Sequence, residues 1–353
     1  MSQRVVYNKK SVVVDGFQFD FGTGGIHGSI PNCIFKSDDE YIIKDLDVAS
    51  YYTNLAISND LFPEHLSKNF CDIYLDVYNQ RKEFPKKQFP SENKMLKLAL
   101  NGVYGDSNNK FSPFYDPKYT MSITINGQLL LCLLAERLMK INDLTLIQVN
   151  TDGLTVKIKR SELSKLYEVT EWWQKLTKLE LEEADYSAMY IRDCNNYIAV
   201  YTNGDVKRKG AYQYEDLGWH QNQSMLVVPK AVEHKLLGRG EIRDFIINHD
   251  DPWDFMLRTK VPRSSRLVSV DDDGNETLQQ NICRYYACTT GEYLVKIMPP
   301  LPKEPDKERR IGIDSGWKVK ICNDFNRDFD GNIDYEYYIE AANKLVNPIL
   351  GID

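Results

Sequence analysis

The sequence predicts an α+β fold in which strands of an antiparallel sheet are interleaved with helices. Three observations carry that expectation. First, Tyr41–Val48 and the two runs inside Ile147–Ile158 (IQVNTDGLTVKI) alternate apolar and polar residues, and the second pair is joined by Asn-Thr-Asp-Gly, all turn-favouring types. Second, two helical patterns, 64–84 and 91–105, are separated only by a short proline-containing connection. Third, no internal repeat or low-complexity linker divides the chain, so one articulated molecule is expected.

Taken in order, residues 1–40 read as extended and turn-rich, with VVVDGFQFDF running into the glycine-dense GTGGIHGS at Gly22–Ser29. In the strand YIIKDLDV (Tyr41–Val48), alternation sets Lys44 on one face and Asp45 and Asp47 on the other. Pro63-Glu64 opens a helical pattern that runs to about Phe84 and is closed by Pro85 and Pro90; Ser91-Glu92-Asn93 then caps a second helix, KMLKLALNGVYG. A third covers about Ile125–Lys140 and is apolar nearly all round, which predicts burial against the sheet. The hairpin around NTDG follows, then an acidic amphipathic helix at Ser161–Leu179, then strands with a hairpin turn at Asn203-Gly204. From about Leu217 the pattern becomes mixed helices and hairpins, including CRYYACTTGEYLVKIM and GIDSGWKVKI.

At 353 residues and 42% apolar content the chain can build two or three packed units. Its longest apolar run, Leu129–Ala135, falls far short of the roughly 20 residues of a membrane span, and MSQRVVYNKK lacks the apolar core of a secretion signal. The expectation is a cytoplasmic protein without a membrane partner. Seven scattered cysteines, none in a C-x-x-C pair, argue against a zinc site or a disulfide framework. A net charge of −7 speaks against a uniformly basic nucleic-acid binder. Basic residues nevertheless gather at Arg81-Lys82 with Lys86-Lys87, at Lys207-Arg208-Lys209, and at Arg258, Lys260, Arg263 and Arg266; such clusters serve either as phosphate sites or as solvated faces.

Three spaced elements bear on chemistry. Asp47-Val48-Ala49-Ser50-Tyr51-Tyr52 puts an aspartate at a strand end before a turn into a helix. Lys97, Asn101 and Tyr104, followed by Gly105, share one helix face at offsets of four and seven. Thr151-Asp152-Gly153 forms the hairpin tip. Two carboxylates, one from a strand end and one from a hairpin tip, suit a two-metal phosphoryl-transfer site, in which ions roughly 4 Å apart activate a hydroxyl and stabilise a leaving pyrophosphate. A cationic helix face beside them supplies the phosphate clamp.

In these residues the sequence resembles the B-family DNA polymerases, most closely those of bacteriophage type. Motif A (D-x-x-S-L-Y-P) resembles DVASYYT at Asp47–Thr53, motif B (K-x-x-x-N-S-x-Y-G) resembles KLALNGVYG at Lys97–Gly105, and motif C (Y-x-D-T-D-S) resembles VNTDG at Val149–Gly153. VYNQRKE (Val77–Glu83) is similar to the family's fingers helix, FGTGG (Phe21–Gly25) to its template-contacting loop, and NNYIAVYTNGDVKRKG to its K-K-x-Y strand and lysine-bearing turn; the likeness covers about residues 20–215. The resemblance implies a right-hand polymerase: palm at 1–60 and 106–216, two-helix fingers at 61–105, and a mixed thumb at 217–353. It implies that Asp47, the Val48 carbonyl and Asp152 hold two Mg²⁺ ions, with Mn²⁺ as an alternative. Ser50, Tyr51, Tyr52, Arg81, Lys97, Asn101 and Tyr104 become the nucleotide site, with Tyr52 the aromatic gate against a ribose 2′-hydroxyl. Gly24, Gly25, Gly105, Tyr197, Lys207, Lys209, Arg258, Lys260, Arg263 and Arg266 become the DNA-binding set, Lys207 at the primer end.

Departures from the pattern are specific. Asn150 stands for the first aspartate of motif C, Gly153 for its serine, Gly102 for the serine of motif B and Thr53 for the proline of motif A. The second fingers cation is out of step, with Pro85 in its place and Lys86 one position late, and the two lysines of K-K-x-Y are Asn195-Asn196. Asn150 is expected to weaken the metal site without abolishing it. The expected activity is template-directed addition of dNTPs to a primer on DNA. No D-x-E pair lies in an early strand, so proofreading is expected from a separate exonuclease or other replisome subunit. The alternatives are a catalytically weakened or inactive polymerase-fold DNA-binding subunit and a reverse transcriptase; the latter needs two adjacent aspartates where Asp152-Gly153 stands.

Overall fold

In the computed structural model, which describes residues 10–85, 87–215, 217, 223–303 and 307–352, residues 10–36 form four short strands joined by turns. β1 (Lys10–Val14) and β2 (Phe17–Phe21) make a hairpin across Asp15-Gly16, whose φ values of 48° and 81° are those a two-residue turn matched to strand twist requires. β3 (Ile26–Ser29), β4 (Cys33–Lys36) and β5 (Tyr41–Val48) follow, and β5 has the bounds its alternation predicts.

Four helices come next: α1 (Tyr51–Ser58), α2 (Asn69–Glu83), α3 (Pro90–Asp106) and α4 (Pro117–Leu138). Two helix starts differ from expectation, and one residue accounts for both. Asp116 Oδ1 accepts from the backbone N–H groups of Lys118 and Tyr119, so α4 begins there with Pro117 in its first turn rather than at Ile125. Asp116 Oδ2 takes the Glu64 N–H at 2.7 Å while His65 Nε2 contacts the Pro113 carbonyl, holding 64–65 in a turn and delaying α2 to Asn69. Ser91 is not a cap, because Pro90 already occupies the first turn of α3 and Phe89 precedes it. Lys86 lies outside the described residues.

β6 (Leu144–Asn150) and β7 (Gly153–Lys159) form the NTDG hairpin, with Asn150 and Gly153 as its closing pair and Thr151-Asp152 as its two-residue tip. After α5 (Leu163–Thr177) comes β8 (Leu181–Asp193). The strands order as β1-β2-β3-β6-β7-β5-β8, with β4 also on β8, and every pairing is antiparallel. Leu131, Leu134, Ala135 and Leu138 of α4 are fully buried in a core shared with Leu146, Val156 and Ile158 of the sheet and Trp173 of α5, whose indole donates to the Leu130 carbonyl at 2.8 Å. The opposite side of α4 is not buried: Ile125 and Leu129 are 48% and 58% exposed.

The chain divides into two compact units, Met1–Asn195 with Ala199–Lys207, and Asn196–Ile198 with Arg208–Asp353. β9 (Asn196–Tyr201) is shared between the units; β10 (Val206–Lys209) follows a turn at Asn203-Gly204, where Gly204 has φ 90°.

In the second unit, α6 (Val227–Leu236) and α7 (Ile242–Ile247) precede β11 (Leu257–Lys260), β12 (Arg266–Val270), β13 (Glu276–Gln279), β14 (Ile282–Met298), β15 (Arg309–Ile313), β16 (Val319–Ile321), α8 (Phe325–Asp328) and α9 (Tyr335–Leu350). CRYYACTTGEYLVKIM lies in one long strand, not a hairpin: β14 pairs with β11, β12, β15 and β16, and β15 and β16 each pair with it. Gly291 permits this, since a Cβ there would stand 2.2 Å from the Val319 carbonyl oxygen. Buried Glu233 on α6 is held by the Arg208 guanidinium through both carboxylate oxygens.

Asp116 gives a stability prediction. Burial raises its carboxyl pKa, but the N–H groups of Glu64, Tyr119 and Lys118 outweigh that and hold it below the ordinary value. A depressed folded-state pKa stabilises above the unfolded value and is lost as pH falls through it. Asp116→Ala is therefore expected to cost about 1–2 kcal/mol at neutral pH. The native–variant gap in urea midpoints should shrink below about pH 4.

Candidate active site

β5 lies between β7 and β8, and that placement assembles the site. Asp47 stands opposite Gly153 on one side and Glu182 on the other, while the Val48 N–H donates to the Asp152 carbonyl at 2.7 Å, tying the hairpin tip to the end of β5. The strand ends at Ser50, whose left-handed backbone (φ 46°) turns the chain into α1. Gly153 is required by this contact rather than by turn geometry. A Cβ at that position would fall 2.2 Å from Asp47 Oδ1 and 2.6 Å from the Leu46 carbonyl oxygen.

A cleft of about 440 Å³ opens beside these residues, lined by Asp47, Val48, Ser50, Tyr51, Tyr52, Arg81, Lys97, Asn101, Tyr104 and Asp152. The strand end, the hairpin tip and the cationic helix face recognised in the sequence thus converge. Arg81 reaches in from α2 and donates from Nη1 to Ser50 Oγ at 2.8 Å; its buried Nε has no hydrogen-bond partner among the described residues. Lys97 and Asn101 of α3 are exposed at its wall. Tyr74 joins the helices underneath: its hydroxyl donates to the Leu100 carbonyl at 2.7 Å and lies 3.2 Å from Thr53 Oγ1.

Two tyrosines form the floor. Tyr51 is buried and its hydroxyl donates to the Gly127 carbonyl at 2.6 Å. The Tyr52 ring packs 4.3 Å from that of Tyr104, and its hydroxyl donates to the Gly24 carbonyl at 2.6 Å, fixing the ring against the glycine-dense loop. Burial pushes both phenols far above the ordinary tyrosine range, with lesser contributions from neighbouring tyrosines and Asp152, so both remain protonated donors. Gly25 lets the loop approach the tip, since a Cβ there would be 2.8 Å from Thr151 Cγ2. Gly105 has open space around its Cα and faces no such constraint.

Glu182 is the residue that sequence reasoning missed; it lines the cleft because β8 pairs with β5 in a register that no local pattern reveals. Lys207 is placed differently from a side chain held out toward a primer. Its ammonium sits 3.0 Å from buried Asp45 Oδ2, 2.9 Å from the Tyr186 hydroxyl and 3.7 Å from Asp47 Oδ2. Among the described residues no three His, Cys, Asp or Glu side chains converge on a metal-sized position. Asp47, Asp152 and Glu182 line the cleft as carboxylates without clustering that closely, an oxygen donor set that fits a hard divalent cation completing its shell with water and phosphate.

In the second unit, Lys209, Lys260 and Arg263 are exposed and Arg258 is half-buried. Arg258 stands directly opposite Arg284, and burial together with the Arg258 charge lowers the Arg284 pKa. Arg266 is engaged by Glu308 at 2.7 Å. Tyr197, expected on a DNA surface, is 4% exposed and stands in a run of three consecutive buried residues of β9.

Gly153 provides a direct test of the site's geometry. Because backbone as well as side-chain atoms fill the Cβ position, Gly153→Ala is expected to displace Asp47 and cost about 1–3 kcal/mol of stability, with weaker divalent-cation binding measured by calorimetry.

No protein-family model matches this sequence, and no curated protein shows significant sequence similarity to it. Among solved structures the chain is similar to the family B DNA polymerase from the hyperthermophilic archaeon Pyrobaculum calidifontis, with a TM-score of 0.49 and 14% sequence identity over 99% of this chain and 47% of that one. The chain therefore spans about half the length of that polymerase.

Proposed function

We propose that the cleft of the first unit catalyses template-directed transfer of a deoxynucleotide to the 3′-hydroxyl of a DNA primer. One observation carries the reading: two carboxylates, Asp47 from a strand end and Asp152 from a hairpin tip, share a single cleft with the cations Arg81 and Lys97 and the packed rings of Tyr52 and Tyr104. Carboxylates suit cation-bound phosphates and the attacking hydroxyl; the arginine and lysine suit the triphosphate tail.

On this reading Arg81 and Lys97 hold the triphosphate and Asn101 orients it, while Tyr104 and Tyr52 lie under the base and sugar. The Tyr52 ring, held by the Gly24 carbonyl and by Tyr104, cannot swing aside for a 2′-hydroxyl. Two divalent cations bound through Asp47, the Val48 carbonyl and Asp152 would supply Lewis-acid stabilisation of the phosphoryl charge. The chain's own contribution is positioning and fixed electrostatics. Lys209, Lys260, Arg263 and the Arg258–Arg284 pair supply phosphate contacts to the duplex. Primer–template DNA and dNTPs are the partners.

A second reading, a DNA-binding subunit without catalysis, is favoured by Asn150, which closes the hairpin where a further carboxylate would strengthen the cation site. Mg²⁺-dependent primer extension separates the two. Extension by the native chain, falling by about two orders of magnitude or more in Asp152→Asn, supports catalysis. DNA retention in a mobility shift with no extension by either chain, in Mg²⁺ or Mn²⁺, replaces it with the second reading.

The sugar gate is tested by two substitutions at Tyr52. Tyr52→Ala is expected to raise ribonucleotide incorporation relative to deoxynucleotide, whereas Tyr52→Phe, which keeps the ring, retains discrimination. Equal discrimination in native chain and Tyr52→Ala, measured in single-nucleotide extension with rNTPs and dNTPs, removes Tyr52 from the role.

A further inference from the structure

Behind Asp47, on the same face of β5, lies a cluster that the proposed reaction leaves unused. Asp45 is 7% exposed, and its carboxylate accepts from Thr155 Oγ1 at 2.7 Å, from the Tyr186 hydroxyl, and from Lys207 Nζ at 3.0 Å. Tyr186 is fully buried and also hydrogen-bonds Lys207 Nζ at 2.9 Å. The ammonium is thus anchored by two buried groups, yet stands only 3.7 Å from Asp47 Oδ2. Four carboxylates, Asp45, Asp47, Asp152 and Glu182, occur at this end of the sheet, and Lys207 is paired with the one farthest from solvent.

A single ammonium between two carboxylates is a shared counterion. The closer it lies to Asp47, the less negative charge Asp47 presents to a cation; the more firmly Asp45 holds it, the more Asp47 presents. We propose that Asp45 and Lys207 form a charge-setting pair that tunes the divalent-cation affinity of Asp47 and Asp152, Asp45 acting as a positioning residue that holds the lysine back from Asp47. The inference rests on the reading of the cleft as a cation-dependent site. It separates Lys207 from primer binding, because the lysine acts on Asp47 rather than on DNA.

The test is Mn²⁺ binding to the protein alone, followed by electron paramagnetic resonance without DNA or nucleotide. Asp45→Asn releases the lysine toward Asp47 and is expected to weaken binding about three- to tenfold, while Lys207→Gln is expected to tighten it by about the same factor. The deciding comparison is the double variant. Since Asp45 acts through Lys207, Asp45→Asn should have no further effect in the Lys207→Gln background. The double variant also carries no unpaired buried charge, so if Lys207→Gln alone does not fold, the contrast between a weaker Asp45→Asn and a tighter double variant still decides. Equal weakening by Asp45→Asn in both backgrounds overturns the proposal, as does unchanged Mn²⁺ affinity with primer affinity reduced. A native chain that extends primers and binds Mn²⁺, with variants differing only in thermal midpoint, overturns the pair's role alone. A native chain that binds no Mn²⁺ overturns the functional reading and this inference with it.

Discussion

The site depends on the pairing of β5 between β7 and β8. In that register Asp47 meets Gly153 and the Val48 N–H meets the Asp152 carbonyl, so carboxylates that are distant in sequence become neighbours without any contact between their side chains to draw them together. Like charges brought side by side repel. The backbone ladder holds them there, because a slip of one residue would send Asp47 to the opposite face and move Ile42, Leu46 and Val48 out of the core. The geometry of the cleft and the packing of the core are specified by the same hydrogen bonds.

The rest of the first unit answers the charge concentrated at that strand end. Lys207 neutralises the buried member of the set and lies 3.7 Å from Asp47 Oδ2, while Arg81 and Lys97 line the cleft. A buried ionised carboxylate is tolerated only with full hydrogen bonding, and Asp45 receives it from Thr155, Tyr186 and Lys207. The Arg81 Nε is among the buried polar atoms that find no hydrogen-bond partner among the described residues, and Arg81 lines the cleft. In the second unit Arg258 and Arg284 stand directly opposite one another, a like-charge pairing that costs stability.

Much of the site was legible because its parts are local. The alternation of YIIKDLDV marks a strand ending at Asp47, NTDG marks a hairpin tip, and the spacing of Lys97, Asn101 and Tyr104 puts them on one helix face. The errors arose where distant partners overrule local preference. Asp116 caps α4 early and holds Glu64 in a turn, so neither helix starts where its apolar period begins. β14 continues through Thr289-Thr290-Gly291 with a register shift against β16 between Ala287 and Glu292, and Gly291 accommodates the approaching backbone of β16 rather than a reversal of its own.

The sequence by itself determined the kinds of element, their order, and the side chains able to do chemistry. Those follow from periodicity and turn preference, which act over a few residues. Only the tertiary structure decided that Glu182 joins the cleft, that Gly153 is glycine for the sake of Asp47, and that Lys207 is held by Asp45 and Tyr186. Each of these depends on the register between strands far apart in the chain, and register is set by the whole packed sheet rather than by any stretch of it.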